Sequence, residues 1–175
     1  MGQDKGTLEY HGRPQALHLL DLLRMSCDRC YVSINADQMS EPFYSARPAI
    51  IDAMLHGGPA SGLISAWRAH PEVGWLAVAV DLALLDRGTL AALVAGRRAS
   101  AAATAFRHPD GTLEPLCAIW EPAACALLAE RVERGDASPR RCLEAIDTHC
   151  VVCPNPEALR SIDSPAQQGA LLRER

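Results

Sequence analysis

The spacing of apolar residues switches repeatedly between helical and extended along this chain. After Pro14, residues Ala16, Leu19, Leu20 and Leu23 share one helical face, with proline where a first turn tolerates it. Cys30-Tyr31-Val32-Ser33-Ile34 then reads as a strand, broken by the polar Asn35-Ala36-Asp37. A second extended run, Ala49-Ile50-Ile51, stops at Asp52. The glycine-rich stretch from Gly57 to Gly62 leads into a helix that continues to about Ala69, and an apolar strand from Trp75 to Val80 ends at Asp81. Asp86 can cap a further helix that buries Leu90 and Leu93, after which an alanine-rich extended segment reaches Phe106. His108-Pro109-Asp110-Gly111 reads as a turn and Leu116 to Trp120 as a strand antiparallel to its predecessor. Three last helices are each opened by a residue followed by proline: Glu121-Pro122, Ser138-Pro139 and Ser164-Pro165; Gly135 ends the first of them.

Strands alternating with helices predict one α/β domain over residues 1–175, with a mostly parallel sheet, helices on both faces and one late antiparallel strand. Such sheets bind ligands beyond the carboxyl ends of their strands. Three successive predicted strands deliver Asn35, Asp52 and Asp81 to that edge, with the loop Gly58-Pro59-Ala60-Ser61-Gly62 between the last two. Any one of these residues could be a turn former; their recurrence on one edge points to a binding site. Asp81, an ionised carboxylate at the end of a buried strand, suits a hard cation such as Mg²⁺. Lys5 could hold a phosphate as a point charge or be a solvated surface lysine.

Composition narrows the partners. Apolar residues make up 49% of the 175, enough for one substantial core and not for two. A formal charge of −4 with no Lys/Arg-rich run argues against nucleic acid or an anionic membrane as the main partner. The chain lacks an apolar stretch of spanning length and an export signal at its start, which reads as cytoplasmic. Seven cysteines are an odd number for a disulfide framework, so free thiols are expected. Two Cys-x-x-Cys pairs, Cys27/Cys30 and Cys150/Cys153, could imitate a zinc site, but strand alternation would send Cys150 and Cys153 to opposite faces. All seven are therefore read as buried core thiols.

Several ordered landmarks carry a resemblance. Met-Gly-Gln-Asp-Lys-Gly at 1–6, Gly-Arg-Pro at 12–14, Gly-Pro-Ala-Ser-Gly at 58–62, Val-Asp-Leu-Ala-Leu-Leu at 80–85, Glu-Pro-Leu-Cys-Ala-Ile-Trp at 114–120 and Ser-Ile-Asp-Ser-Pro at 161–165 resemble those of the MobA-like molybdenum cofactor guanylyltransferases. The resemblance implies a three-layer, Rossmann-like nucleotidyltransferase fold. It also implies transfer of GMP from GTP to molybdopterin with Mg²⁺ and release of pyrophosphate. It assigns Lys5 to the nucleotide's phosphates, Asn35 and Asp52 to the guanine nucleotide, and Asp81 to Mg²⁺ and nucleotide together. The Gly58-Pro59 to Gly62 loop matches the turn shaping the base pocket, and residues 161–165 the pterin side. Transient contact with other proteins of cofactor biosynthesis is implied as well. The attacking group is already an anionic phosphate, so none of the six histidines is needed as a base; His56, beside the glycines, is the one worth testing.

The family's apolar first strand and its Leu-Ala-Gly-Gly-x-Ser-x-Arg loop have no counterpart before Met1. That loop would cradle the triphosphate, and a first strand in such a sheet is usually central. The expectation is therefore a domain incomplete at its amino end, with little or no turnover as it stands. Ala83 replaces a usual proline, and the family's asparagines near Ser161 and Asp163 are missing, which loosens the pterin assignment. Two rival readings are a related cytidylyltransferase or other nucleotidyltransferase that uses another phosphorylated acceptor on the same fold, and a non-catalytic module that binds a nucleotide or a protein partner.

Overall fold

The computed structural model describes residues 4–52, 58–162, 167 and 169. Six helices lie among them: α1 (Gln15–Leu23), α2 (Pro42–Ser45), α3 (Gly58–Ala69), α4 (Arg87–Ala95), α5 (Pro122–Glu133) and α6 (Pro139–Ala145). Six strands accompany them: β1 (Val32–Ile34), β2 (Ala49–Ile51), β3 (Trp75–Val78), β4 (Ala103–Arg107), β5 (Leu113–Trp120) and β6 (Thr148–Val151).

The local signals act as expected in most places. The Asp86 carboxylate accepts from the Thr89 amide at 2.7 Å and caps α4, while proline opens α5 and α6. Gly135, at φ 87°, turns the chain out of α5 through a left-handed conformation that glycine adopts without strain. Gly111, at φ 90°, does the same in the β4–β5 hairpin. Several boundaries shift: the strand predicted from Cys30 begins at Val32, the one predicted to reach Val80 ends at Val78, the one predicted from Leu116 begins at Leu113, and α3 already includes Gly58, so the glycine–proline stretch forms its first turns and is not a separate loop. Proline near a helix start favours that outcome because it has no N–H to leave unpaired there. Ser164-Pro165, Asp163, His56 and Met1 lie outside the described residues.

Strand directions follow the expected scheme. The order β3-β5-β4-β6 has β5 antiparallel to both neighbours and β4 parallel to β6, so β3, β4 and β6 all run one way. β1 and β2 form a separate parallel pair, in register from Val32 opposite Ala49 to Ile34 opposite Ile51. Alternation along β5 divides the core into two layers. Ala118 and Trp120 pack with Leu63 and Ile64 of α3, Leu128 of α5 and Leu143 of α6, whereas Cys117 and Ile119 pack with Leu19 of α1 and Leu90 and Leu93 of α4. The three-layer reading holds.

The sheet is interrupted between β1 and β3. Every residue of β3 is only half-buried, although its sequence Trp-Leu-Ala-Val is wholly apolar. A cavity of about 910 Å³ fills the interval, lined among others by Ser33, Leu63, Ala66, Ala77, Val78 and Ile119.

Candidate active site

The edge beyond the strands' carboxyl ends is held together by a turn near the amino terminus. Lys5–Thr7 form a 3-10 turn capped by Asp4, whose Oδ1 accepts from the Gly6 amide at 2.8 Å. The other oxygen, Oδ2, accepts from the Gln38 side-chain amide and the Tyr44 hydroxyl, each at 2.7 Å. Gln38 in turn exchanges hydrogen bonds with Asn35: its amide donates to Asn35 Oδ1 at 2.9 Å, and its side-chain oxygen accepts from the Asn35 amide at 3.1 Å. One carboxylate thus ties the turn to the segment after β1. Burial, together with the carboxylate it donates to, pushes the Tyr44 phenol well above its ordinary pKa, keeping it a donor.

From this anchored turn Lys5 reaches across to Asp81, its Nζ 3.1 Å from Oδ2, with side-chain exposures of 30% and 22%. Asp81 lies three residues past β3, and its backbone carbonyl accepts from the Ile162 amide at 2.9 Å, which brings the Ser161–Ile162 segment to the same edge. A pair this accessible is worth little as a stabiliser. It does place a cation and an anion side by side where a phosphate and a metal ion could take their places.

The second group of expected residues gathers around Ser33. Its hydroxyl donates to Asp52 Oδ1 at 2.5 Å, and a Cβ added at Gly62 would fall 2.6 Å from that hydroxyl and 3.5 Å from the carboxylate. Only a residue without a side chain fits α3 this closely against the ends of β1 and β2. Burial pushes the Asp52 carboxyl up, and the Ser33 hydrogen bond partly offsets it. Gly58, at φ 54°, and Pro59 are exposed at the start of the helix. Asp52, Gly58, Pro59 and Gly62 line the cavity; Lys5, Asn35 and Asp81 lie outside its lining. The structure therefore joins Lys5 to Asp81, and through the turn to Asn35, and separately joins Asp52 to Gly62.

Asp4 and Gly6 stood in the sequence only within the landmark at 1–6, without a role, and Gln38, Tyr44 and Ser33 were not singled out. For Asp4 the local signs were that landmark and its place beside Lys5. The cysteine reading needs correction in part: all seven are free thiols, but only Cys117, Cys125 and Cys142 are buried, while Cys27, Cys30, Cys150 and Cys153 are half-exposed on loops or at the β6 edge. Burial pushes the Cys125 thiol up to about 12, which makes it inert at neutral pH.

A family profile described as a MobA-like NTP transferase domain matches residues 1–159. The chain belongs to that family. The expectation drawn from the six landmarks is thereby borne out, and the domain is of the nucleotidyltransferase type. A molybdenum cofactor guanylyltransferase of Pseudomonas aeruginosa is 30% identical over 145 residues, covering 81% of this chain and 72% of that one. A molybdenum cofactor biosynthesis bifunctional protein of Synechocystis is 29% identical over 172 residues, 98% of this chain, which spans 50% of that relative's length. Among solved structures, molybdopterin-guanine dinucleotide biosynthesis protein A of Archaeoglobus fulgidus superposes with a TM-score of 0.75 at 20% identity, over 99% of this chain and 91% of that one. At that identity the likeness shows the fold. No described helix is long and apolar enough to cross a membrane.

Proposed function

We propose that this domain belongs to an enzyme transferring GMP from GTP to molybdopterin, and that the residues above form the phosphate and nucleotide side of its site. The observation that carries the reading is the Lys5–Asp81 pair, 3.1 Å apart at the carboxyl end of β3, held by a turn anchored through Asp4. In the reaction a phosphate oxygen of the pterin attacks the α-phosphorus in line. The bond from that phosphorus to the α,β-bridging oxygen breaks, and its electron pair leaves with pyrophosphate. No proton has to be removed from the nucleophile, so the protein's task is to position the two anions and offset their charge.

Lys5 is suited to that task as a phosphate-binding ammonium, and Asp4 fixes the turn from which it extends. Among the described residues no three His, Cys, Asp or Glu side chains cluster into a metal cage. A divalent ion here would rest on Asp81 and on substrate phosphate oxygens, a donor set that suits Mg²⁺. When bound, such an ion supplies charge neutralisation at the phosphates. Asp52 and the Gly58-Pro59 to Gly62 turns, on the β2 side, are the candidates for the guanine nucleoside, with Asn35 at the end of β1 beside them in the fold.

Calorimetric titration with GTP in the presence and absence of Mg²⁺ tests the reading, with CTP as competitor. Metal-dependent GTP binding that excess CTP does not displace is expected. Lys5→Met should weaken it by about 10- to 100-fold, the loss of one charge-assisted hydrogen bond of about 1.5–3 kcal/mol. Asp81→Asn should abolish the metal dependence. Equal displacement by CTP, or binding indifferent to both substitutions, would overturn the assignment.

A further inference from the structure

The loop that carries Asp81 has no regular structure of its own: residues 79–86 lie between the end of β3 and the start of α4. The place of its carboxylate therefore depends on what grips the loop from outside. Three consecutive carbonyls are held. Asp81 O accepts from the Ala83 and Ile162 amides, each at 2.9 Å, and Leu82 O from Nε2 of the Gln15 side chain at 3.3 Å. Ala83 O lies 2.9 Å from Nε2 of His11; a carbonyl only accepts, so that ring nitrogen carries the proton. His11 is steadied by stacking on His18 of α1, with ring centroids 3.7 Å apart and planes 8° from parallel. Tyr10 packs against Ala83 and Ile162 in a small buried cluster.

Tyr10, His11 and Gln15 all follow Lys5 within one short stretch. It folds back on itself: the Gln15 amide donates to the Leu8 carbonyl at 2.8 Å, and Glu9 forms an isolated antiparallel bridge with Pro14. The segment that presents the ammonium thus also grips the loop that presents the carboxylate. Gln15 carries the clearest sign of a role in the site. It is wholly buried, yet its Oε1 has no partner among the described residues. An unpaired buried oxygen lowers stability, and a bond as long as 3.3 Å returns little. The Leu82 carbonyl would keep the Leu85 amide at 3.2 Å without it. Methionine, unbranched and apolar, would fill the same space with no orphaned oxygen. Stability does not account for an amide at this position; the place of the loop does.

We propose that Gln15 and His11 are positioning residues for Asp81: by holding the Leu82 and Ala83 carbonyls they set where the carboxylate stands relative to Lys5. Neither touches the reacting groups; both act through the loop. The consequence for the reaction rests on the reading of Asp81 as the carboxylate that would hold a divalent ion, whereas the grip itself does not.

The test uses the whole chain and two independent readouts. The first, amide hydrogen exchange followed by NMR, needs no ligand. Gln15→Met should leave Tm unchanged or raise it by about 2–4 °C. The Ala83 and Ile162 amides, which donate to Asp81, should nonetheless exchange about 3- to 10-fold faster, the loss of one neutral hydrogen bond from the loop, with the β5 amides unaffected. His11→Phe keeps a ring against His18 and should have the same effect, whereas His11→Gln, whose amide can donate to the same carbonyl, should stay close to the parent. The second readout is the Mg²⁺ dependence of GTP binding. Gln15→Met should raise the Mg²⁺ concentration for half-maximal binding by about 10-fold, with GTP affinity at saturating Mg²⁺ retained. Unchanged exchange at the two amides would overturn the proposal, as would a lower Tm with faster exchange throughout β5, which marks a merely structural residue. Faster loop exchange with an unshifted Mg²⁺ dependence would overturn it too. Absence of GTP binding by the parent would sink the nucleotide reading instead, and the exchange rates alone would then decide whether Gln15 and His11 position the loop.

Discussion

The turn carrying Lys5 depends on Gly6 lacking a side chain, and a double-mutant cycle makes that dependence measurable. A Cβ at position 6 would lie 2.6 Å from the Tyr44 hydroxyl, where ordinary contact begins at 3.4 Å, so the oxygen must retreat by about 0.8 Å. It cannot swing aside freely: Tyr44 is 3% exposed, and its hydroxyl is bound to Asp4 at 2.7 Å. Gly6→Ala should therefore cost about 1–3 kcal/mol of overpacking, and about 2.5–6 kcal/mol if the hydrogen bond to the carboxylate breaks as well. Tyr44→Phe alone loses that bond but leaves Asp4 Oδ2 satisfied by Gln38, so its cost falls at the lower end of about 1.5–3 kcal/mol. With both changes the crowding oxygen is gone, and the neighbours left to the new Cβ are Asp4 Oδ1 at 3.3 Å and Ala16 Cβ at 3.5 Å. The double variant should thus be more stable than the sum of the single losses by about 1–3 kcal/mol. Urea unfolding followed by tryptophan fluorescence gives all four stabilities at constant m-value. Additivity within about 0.5 kcal/mol would refute the reasoning.

Other expectations follow from individual contacts. The hydrogen bond from Arg141, reinforced by Arg131, holds the Asp136 carboxyl at about 2; because the folded pKa is depressed, this contribution is present above the unfolded value of about 3.9 and is lost as pH falls through 2. The stability deficit of Asp136→Asn at pH 6 should accordingly shrink across that window in acid-unfolding curves. Asp52 has the opposite sign: burial raises its folded pKa, so the stability it contributes is present below its unfolded pKa and lost as pH rises through the folded one. Asp52→Asn should be at least as stable as the parent in thermal melts at pH 7, yet bind GTP more weakly in calorimetry. Asp86→Ala removes the cap of α4 and the acceptor of the 2.8 Å bond from Asn155, and should cost about 1–2 kcal/mol in urea titrations.

The sequence by itself determined the elements and their order. Apolar spacing, the Asp86 cap, the prolines of α5 and α6 and the glycine turns act within a few residues, and each reports a local preference that the fold did not override. Ordered landmarks pointed to the family, and the polar strand ends pointed to the edge where Lys5 meets Asp81. Only the tertiary structure decided which of those residues meet. Asp4 finds Tyr44 forty positions away and Gln38 thirty-four positions away, and nothing near Gly6 or Gly62 announces that a hydroxyl from another element will press against each. The cavity between β1 and β3 and the residues that line it became definite only with strand pairing and register. Periodicity fixes which face of an element is apolar, whereas contact between residues distant in the chain depends on how the elements pack, and no local pattern encodes it.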